Sequence, residues 1–148
     1  MSADKNEALY RRMIEEVFNQ GHLETVDELV SADLKEHEQL PPGFRPGREG
    51  LKQLVQALRV AFPDGKTTIE DLAVDGDKVW ARNRSRGTNT GQFMGMPATG
   101  KSIDFEIMDL CRFAGGKIVE HWGVTDNMAM MQQLGVIAGP GQPVGMQS

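Results

Sequence analysis

The side chains of this chain that could move a proton are few enough to weigh one at a time. Asp109 stands in a row in which every second residue is otherwise apolar, Phe105, Ile107, Cys111 and Phe113. On a strand that alternation puts one carboxyl among greasy neighbours on the same face. Such a group has to pair with a cation or share a proton with a second carboxyl. Asp126 follows Trp122 by four residues, where a strand ends and a short apolar helix begins. Inside an apolar cavity its charged form would be disfavoured and its pKa raised toward working pH, as general acid/base chemistry requires. As the N-cap of the helix it would be stabilised as a carboxylate instead, although Asn127 could take that cap and free it.

Other chemistries find less support. His22, His37 and His121 lie in separate elements without the i, i+4 pairing of a zinc helix, so no metal is expected. The single cysteine, Cys111, can form neither an intramolecular disulfide nor a Cys-rich metal site, and reads as a small buried hydrophobe. The glycine-rich stretch 87–101 has neither the spacing nor the strand-to-helix setting of a phosphate or dinucleotide loop, and no cofactor is expected. Sixteen basic against twenty-one acidic residues leave a formal charge of −5, which repels a nucleic-acid backbone. No apolar run approaches the ~18 residues a bilayer demands, and the charged start lacks a signal-peptide core, so a cytoplasmic protein without a membrane partner is expected.

The elements that must position these residues follow from periodicity. With 148 residues, 39% hydrophobic and 25% charged, the chain predicts one domain, residues 1–138, followed by a mobile Gly/Pro-rich tail at 139–148. Asp4 and Glu7 read as a capping box for a helix to Asn19 with Leu9, Tyr10, Met13, Ile14, Val17 and Phe18 on one stripe. Leu23, Val26, Leu29 and Val30 predict a short second helix, and Leu51 to Phe62 a third, ended by Pro63-Asp64-Gly65. Beyond Pro63 the period changes to two. Two hairpins are predicted, 66–74 with 78–88 around Asp75-Gly76-Asp77, and 102–113 with 117–125 around Ala114-Gly115-Gly116. Between them lies a long functional loop, and Asn127 to Leu134 forms a closing helix.

Closure of the second hairpin pairs Phe113 with Ile118, then Cys111 with Glu120, Asp109 with Trp122 and Phe105 with Asp126. One face then carries Phe105, Asp109, Trp122 and Asp126 toward the pocket, and the other carries Asp104, Glu106, Arg112 and His121. Strand 78–88 stays ambiguous. If Trp80 and Arg82 face inward, Arg82 can neutralise a cavity carboxyl or hold an oxyanion; if they face outward, the arginines form a solvated stripe and Asn83 takes the pocket position. Met94, Met96, Met128, Met130 and Met131 suit an adaptable pocket lining, or a core or dimer contact.

Helices followed by an antiparallel meander form an α+β domain whose curved sheet packs helices on its concave face, enclosing a pocket. That order resembles the NTF2-like cone. The strings Phe18-Asn19-Gln20-Gly21, Ala61-Phe62-Pro63-Asp64, Gly95-Met96-Pro97-Ala98-Thr99-Gly100-Lys101, Gly116-Lys117-Ile118-Val119-Glu120-His121-Trp122 and Gln132-Gln133-Leu134-Gly135 resemble the SnoaL-like polyketide cyclase, or ester cyclase, family over residues 5–135. The resemblance implies that Asp126, ending a Trp-x-x-x-Asp string, is the general acid/base. It also implies a polar pocket residue near His37, against which stands a solvated loop histidine. The implied activity is cofactor-independent aldol ring closure on a hydrophobic small molecule, with Trp122, Asp109, His37, Arg82, Phe105 and Met96 around it. Epoxide hydrolysis, isomerisation and simple binding are the alternatives, and two inward carboxylates bridged by an arginine would favour water activation. A homodimer through the convex sheet face is expected, since a single-layer sheet leaves one face to cover.

Overall fold

The computed structural model describes residues 3–138; the expected tail at 139–148 lies outside them. The apolar stripe of the first helix forms α1 (Ala3–Arg12), which continues as a π-helical segment, Met13–Asn19. The wider turns keep Tyr10, Met13, Ile14 and Val17 all buried. The segment is pinned where it ends: Asn19 donates to the Thr67 carbonyl at 2.9 Å and accepts from the Thr67 N–H at 2.7 Å. After α2 (Leu23–Leu29) the chain passes without a loop into strand β1 (Val30–Glu36), then α3 (Gly47–Ala61). The meander follows as β2 (Lys66–Asp75), β3 (Lys78–Thr88), β4 (Ser102–Ala114) and β5 (Lys117–Thr125), closed by α4 (Asn127–Leu134). The five strands form one sheet in the order β1-β5-β4-β3-β2, antiparallel except for β1 beside β5.

Two features differ from the sequence reading. Val30 belongs to β1 rather than to the second helix, because the parallel pairing of Val30 with Ile118 and of Glu36 with His121 outweighs a weak helical period. The second hairpin holds an extra residue. Phe113 pairs with Ile118 as expected, but Arg112 pairs with Glu120, so Val119 is bulged out of register. From there every partner moves by one: Cys111 faces His121, Leu110 faces Trp122, Asp109 faces Gly123 and Ile107 faces Thr125. One inserted residue turns the remainder of a strand over. Asp126 consequently does not lie opposite Phe105, and its N–H donates to the Glu106 carbonyl instead.

The core has two parts. Tyr10, Ile14, Val17, Val26, Leu29, Val55, Val79, Cys111 and Phe113 pack one end of the cone, and Phe62, Phe93, Ile103, Phe105, Met130 and Leu134 the other. The long loop between β3 and β4 is held by Asn89, whose side chain is almost fully buried. Its amide donates to the carbonyls of Ala61 and Gly91 and accepts from the N–H and hydroxyl of Thr99, both at 2.9 Å. The anchored loop turns back at Met94-Gly95, both at positive φ, through mutual Phe93 and Met96 backbone bonds. No described helix is long and apolar enough to cross a membrane. Asn89→Ala strands these partners, and a loss of about 2–3 kcal/mol is expected from urea unfolding. An unchanged midpoint would show that the loop does not depend on this amide.

Candidate active site

The concave face encloses a cavity of about 440 Å³. Leu40, Leu51, Leu54, Leu58, Phe62, Phe93, Met96, Ile103, Phe105, Ile107, Met130 and Met131 give it a mainly apolar wall. Set in that wall is one polar network. The β-bulge brings His121 inward beside Asp109, and the parallel pairing brings Glu36 alongside. His121 Nε2 lies 2.9 Å from Asp109 Oδ1, and Nδ1 lies 2.5 Å from Glu36 Oε2. An imidazole with a carboxylate at each nitrogen donates at both, which makes it an imidazolium. Burial alone would lower the His121 pKa, but the hydrogen bonds and charges of Asp109 and Glu36 outweigh it and push it up to about 10.

Asp109 is saturated. Its Oδ2 accepts from the Tyr10 hydroxyl at 2.8 Å and from Asn83 Nδ2 at 3.1 Å, and Asn83 also donates to the Tyr10 oxygen at 2.7 Å. Burial, then the charge of Asp109, raises the Tyr10 phenol far above its usual value, so it remains a donor. Burial also raises the Cys111 thiol, which leaves it protonated and inert.

A third carboxyl completes the group. In β1 and just beyond it the side chains alternate, with Glu36 and Glu38 inward and His37 outward. Since Glu36 pairs with His121 in a parallel ladder, Glu38 reaches the next inward positions of β5, Gly123 and Thr125. Thr125 Oγ1 donates to Glu38 Oε2 at 2.8 Å, while Glu38 Oε1 lies against the bare Gly123 backbone. Burial pushes the Glu38 carboxyl above its ordinary value, and the charges of Asp109 and Glu36 add to this while Thr125 and His121 act against it. Glu38, Asp109 and His121 bring ligand-type atoms within 4.8 Å of one another. Both His121 nitrogens and both Asp109 oxygens are already engaged, however, so the group is a hydrogen-bonded network rather than an open metal cage.

The residues singled out from sequence divide between the two faces. Asp109, Phe105 and Met96 line the cavity. Trp122 does not: the bulge turns it to the outer face, where it stacks on His37 with ring centroids 4.7 Å apart. His37 is exposed there and bonded to Glu120 at 2.7 Å. Arg82 is also outside, bonded to Glu106 at 3.2 Å, and its neighbour Asn83 faces inward. Asp126 is exposed and caps α4, accepting from the Ala129 N–H at 3.1 Å. Sequence reasoning assigned His121 to the wrong face and passed over Tyr10, Glu36 and Glu38. Tyr10 read as one more residue of an apolar stripe. The glutamates sat in a segment with no strand signal, although Glu36-x-Glu38 had the spacing of one strand face.

Fold and site together place the chain among the NTF2-like cones, α+β folds that hold a small-molecule cavity against a curved sheet. Comparison with known proteins narrows the class. Residues 8–134 match the SnoaL-like polyketide cyclases, and the chain belongs to that family. It is 32% identical over 135 residues to the aklanonic acid methyl ester cyclase DauD of Streptomyces sp. (strain C5), covering 86% of this chain and 80% of that one. It is 28% identical over 120 residues to the nogalonic acid methyl ester cyclase of Streptomyces nogalater, covering 80% and 89%. The crystal structure of IdmH from Streptomyces antibioticus superposes with a TM-score of 0.75 at 36% identity, covering 88% of this chain and 98% of that one.

The His121 shift carries a stability consequence. Its pKa is raised from 6.5 to about 10 on folding, so its contribution is complete below pH 6.5 and is lost as pH rises toward about 10. Urea-unfolding free energies measured across that window should fall for the wild type, and this component should be missing in His121→Gln. Equal slopes in the two proteins would show that His121 is not held as the cation.

Proposed function

We propose that this chain is a cofactor-independent ester cyclase that closes a ring in a hydrophobic polyketide methyl ester by an intramolecular aldol reaction. A proton α to a carbonyl is removed, the enolate carbon attacks a ketone carbon within the same molecule, and the resulting alkoxide takes the proton back. Product and substrate then have the same composition, and no co-reactant is consumed. The protein has to fold a flexible chain into an attacking geometry, exclude water and move one proton. The observation that carries the reading is the ionic Asp109–His121–Glu36 network set in a mainly apolar cavity, in a chain whose relatives are named as methyl ester cyclases.

Within this reading a carboxyl inside the cavity is the acid/base. Asp126, the aspartate expected from sequence, is a poor fit, since it is exposed, its carboxyl is engaged as the cap of α4, and it is not among the residues that line the cavity. The arginine bridge that would favour water activation is not made by Arg82, which pairs with Glu106 outside. A cytoplasmic location belongs to the same proposal. The test incubates purified protein with nogalonic acid methyl ester and aklanonic acid methyl ester and follows cyclised product by chromatography. Tyr10→Phe keeps the ring but loses a hydrogen bond to a charged group, for which roughly a 10–100-fold loss of turnover is expected. Asp126→Asn should stay near wild type. Rates no faster than buffer with both esters would refute the cyclase reading.

We also propose that two copies associate through their convex sheet faces. Trp80, Met108 and Val124 are about half exposed or more on that face, around a depression also lined by Leu72, Leu110 and Trp122. Arg82 beside Asp71 and Glu106 gives the patch both signs of charge, so a two-fold operation can set base against acid. Light scattering at micromolar concentration should give twice the 16.3 kDa chain mass, and Val124→Glu should halve it. A wild-type monomer would rule the interface out.

A further inference from the structure

We propose that Glu38 is the carboxyl that takes the α-proton and returns it to the new hydroxyl, a role that rests on the cyclase reading above. Three carboxyls reach the concave face around His121, and their surroundings differ. Asp109 accepts from Tyr10, Asn83 and His121, and Glu36 is bound to the imidazolium, so each is held in a charge-assisted bond that a proton would break. Glu38 is held on one oxygen only, by the Thr125 hydroxyl. Its other oxygen lies over Gly123, where the backbone carries nothing.

Gly123 is what makes that placement possible. A methyl group on residue 123 would overlap Glu38 Oε1, and would stand 2.9 Å from His121 Cε1 and 3.2 Å from Asp109 Oδ1. Every other inward position of β5 beyond the bulge, His121 and Thr125, carries a side chain that contacts the carboxyl group cluster. The missing side chain at 123 is therefore the space into which the Glu38 carboxyl fits, one strand step from the imidazolium. The arrangement separates two jobs. Asp109, His121, Glu36, Tyr10 and Asn83 form a frame whose two carboxylates are tied to the imidazolium, and Glu38 is the carboxyl outside that ion pairing, with Oε1 left to meet substrate.

In the step itself, the Glu38 carboxylate accepts the α-proton as the C–H electron pair shifts to make the enolate. The enolate carbon bonds to the ketone carbon, and the ketone oxygen, now an alkoxide, removes the proton from the Glu38 carboxylic acid. The carboxylate is regenerated and nothing else is consumed.

The test uses wild type, Glu38→Gln, Gly123→Ala and Asp126→Asn, the same two methyl esters, and carbon NMR of glutamate-labelled protein. In the free wild type the resonance that Glu38→Gln deletes should titrate above the ordinary 4.5. The acid limb of the turnover profile should share that midpoint. Glu38→Gln should lose on the order of 10²–10⁴ in turnover with its melting temperature retained, and Asp126→Asn should not. Gly123→Ala, by displacing the carboxyl, should lower both the midpoint and the turnover, and it carries the test if Glu38→Gln fails to fold. A fully active Glu38→Gln or Gly123→Ala protein, or a Glu38 midpoint at or below 4.5, overturns this role and leaves the cyclase reading standing. A wild type inactive on both esters overturns the two together.

Discussion

The imidazolium of His121 between Asp109 and Glu36 is the interaction around which the rest of the cone is organised. Its three members come from β5, β4 and β1, and Tyr10 and Asn83 add α1 and β3. Four strands and a helix thus meet in one set of hydrogen bonds. Burying two carboxylates and a cation is expensive, and it is tolerable only where each charge is met by a partner of good geometry. That requirement constrains everything nearby. It fixes which face β5 presents, holds the edge strand β1 in parallel register, and keeps Tyr10 aimed across the cavity. Satisfaction is incomplete at one atom, since Asn83 Oδ1 is buried without a partner. Its amide nitrogen is committed to Asp109 and Tyr10, and the orphaned oxygen is the cost of that orientation.

Much of this architecture was legible in the residues because local signals and tertiary demands agreed. The stripe from Leu9 to Phe18 is amphipathic wherever it is placed, and Asp75-Gly76-Asp77 and Gly115-Gly116 close hairpins on their own. The signals failed where the deciding contact was distant. Val30 to Glu36 has only Val30 and Leu34 as apolar anchors, a spacing that suits a helix as well as a strand. What makes it β1 is the exposed edge of β5, some ninety residues later.

The bulge at Val119 is a sharper case. Nothing in Lys117-Ile118-Val119-Glu120-His121-Trp122 marks an extra residue, and strict alternation from the Gly115-Gly116 turn puts Trp122 inside and His121 outside. The observed register is the reverse, because it lets a histidine meet two buried carboxylates while an aromatic ring stacks on His37 at the surface. An apolar residue was exchanged for a polar one in the interior, against the hydrophobic pattern. Sites that do chemistry are where pattern and structure are expected to part. Asp109, by contrast, was visible as soon as the alternation of β4 was written out, since a lone carboxyl among Phe105, Ile107, Cys111 and Phe113 needs a partner.

The cavity is also asymmetric along β4. Asp109 is the polar point, and Ile107, Phe105 and Ile103 recede from it on the same face toward the anchored loop and α4. At about 3.4 Å per residue, Phe105 stands about 14 Å from the charged group. A long guest with several similar carbonyls cannot lie in such a chamber in either sense with equal ease. In the proposed reaction its greasy end lies toward Phe105 and Met130, and the reacting carbonyl lies toward the charged group around His121. Under that proposal the wall works as a ruler, selecting one bond-forming position among several of equal intrinsic reactivity. Since the far end of the ruler is built from Phe93 and Met96 on a loop, its length can be reset by that loop without disturbing the charged end.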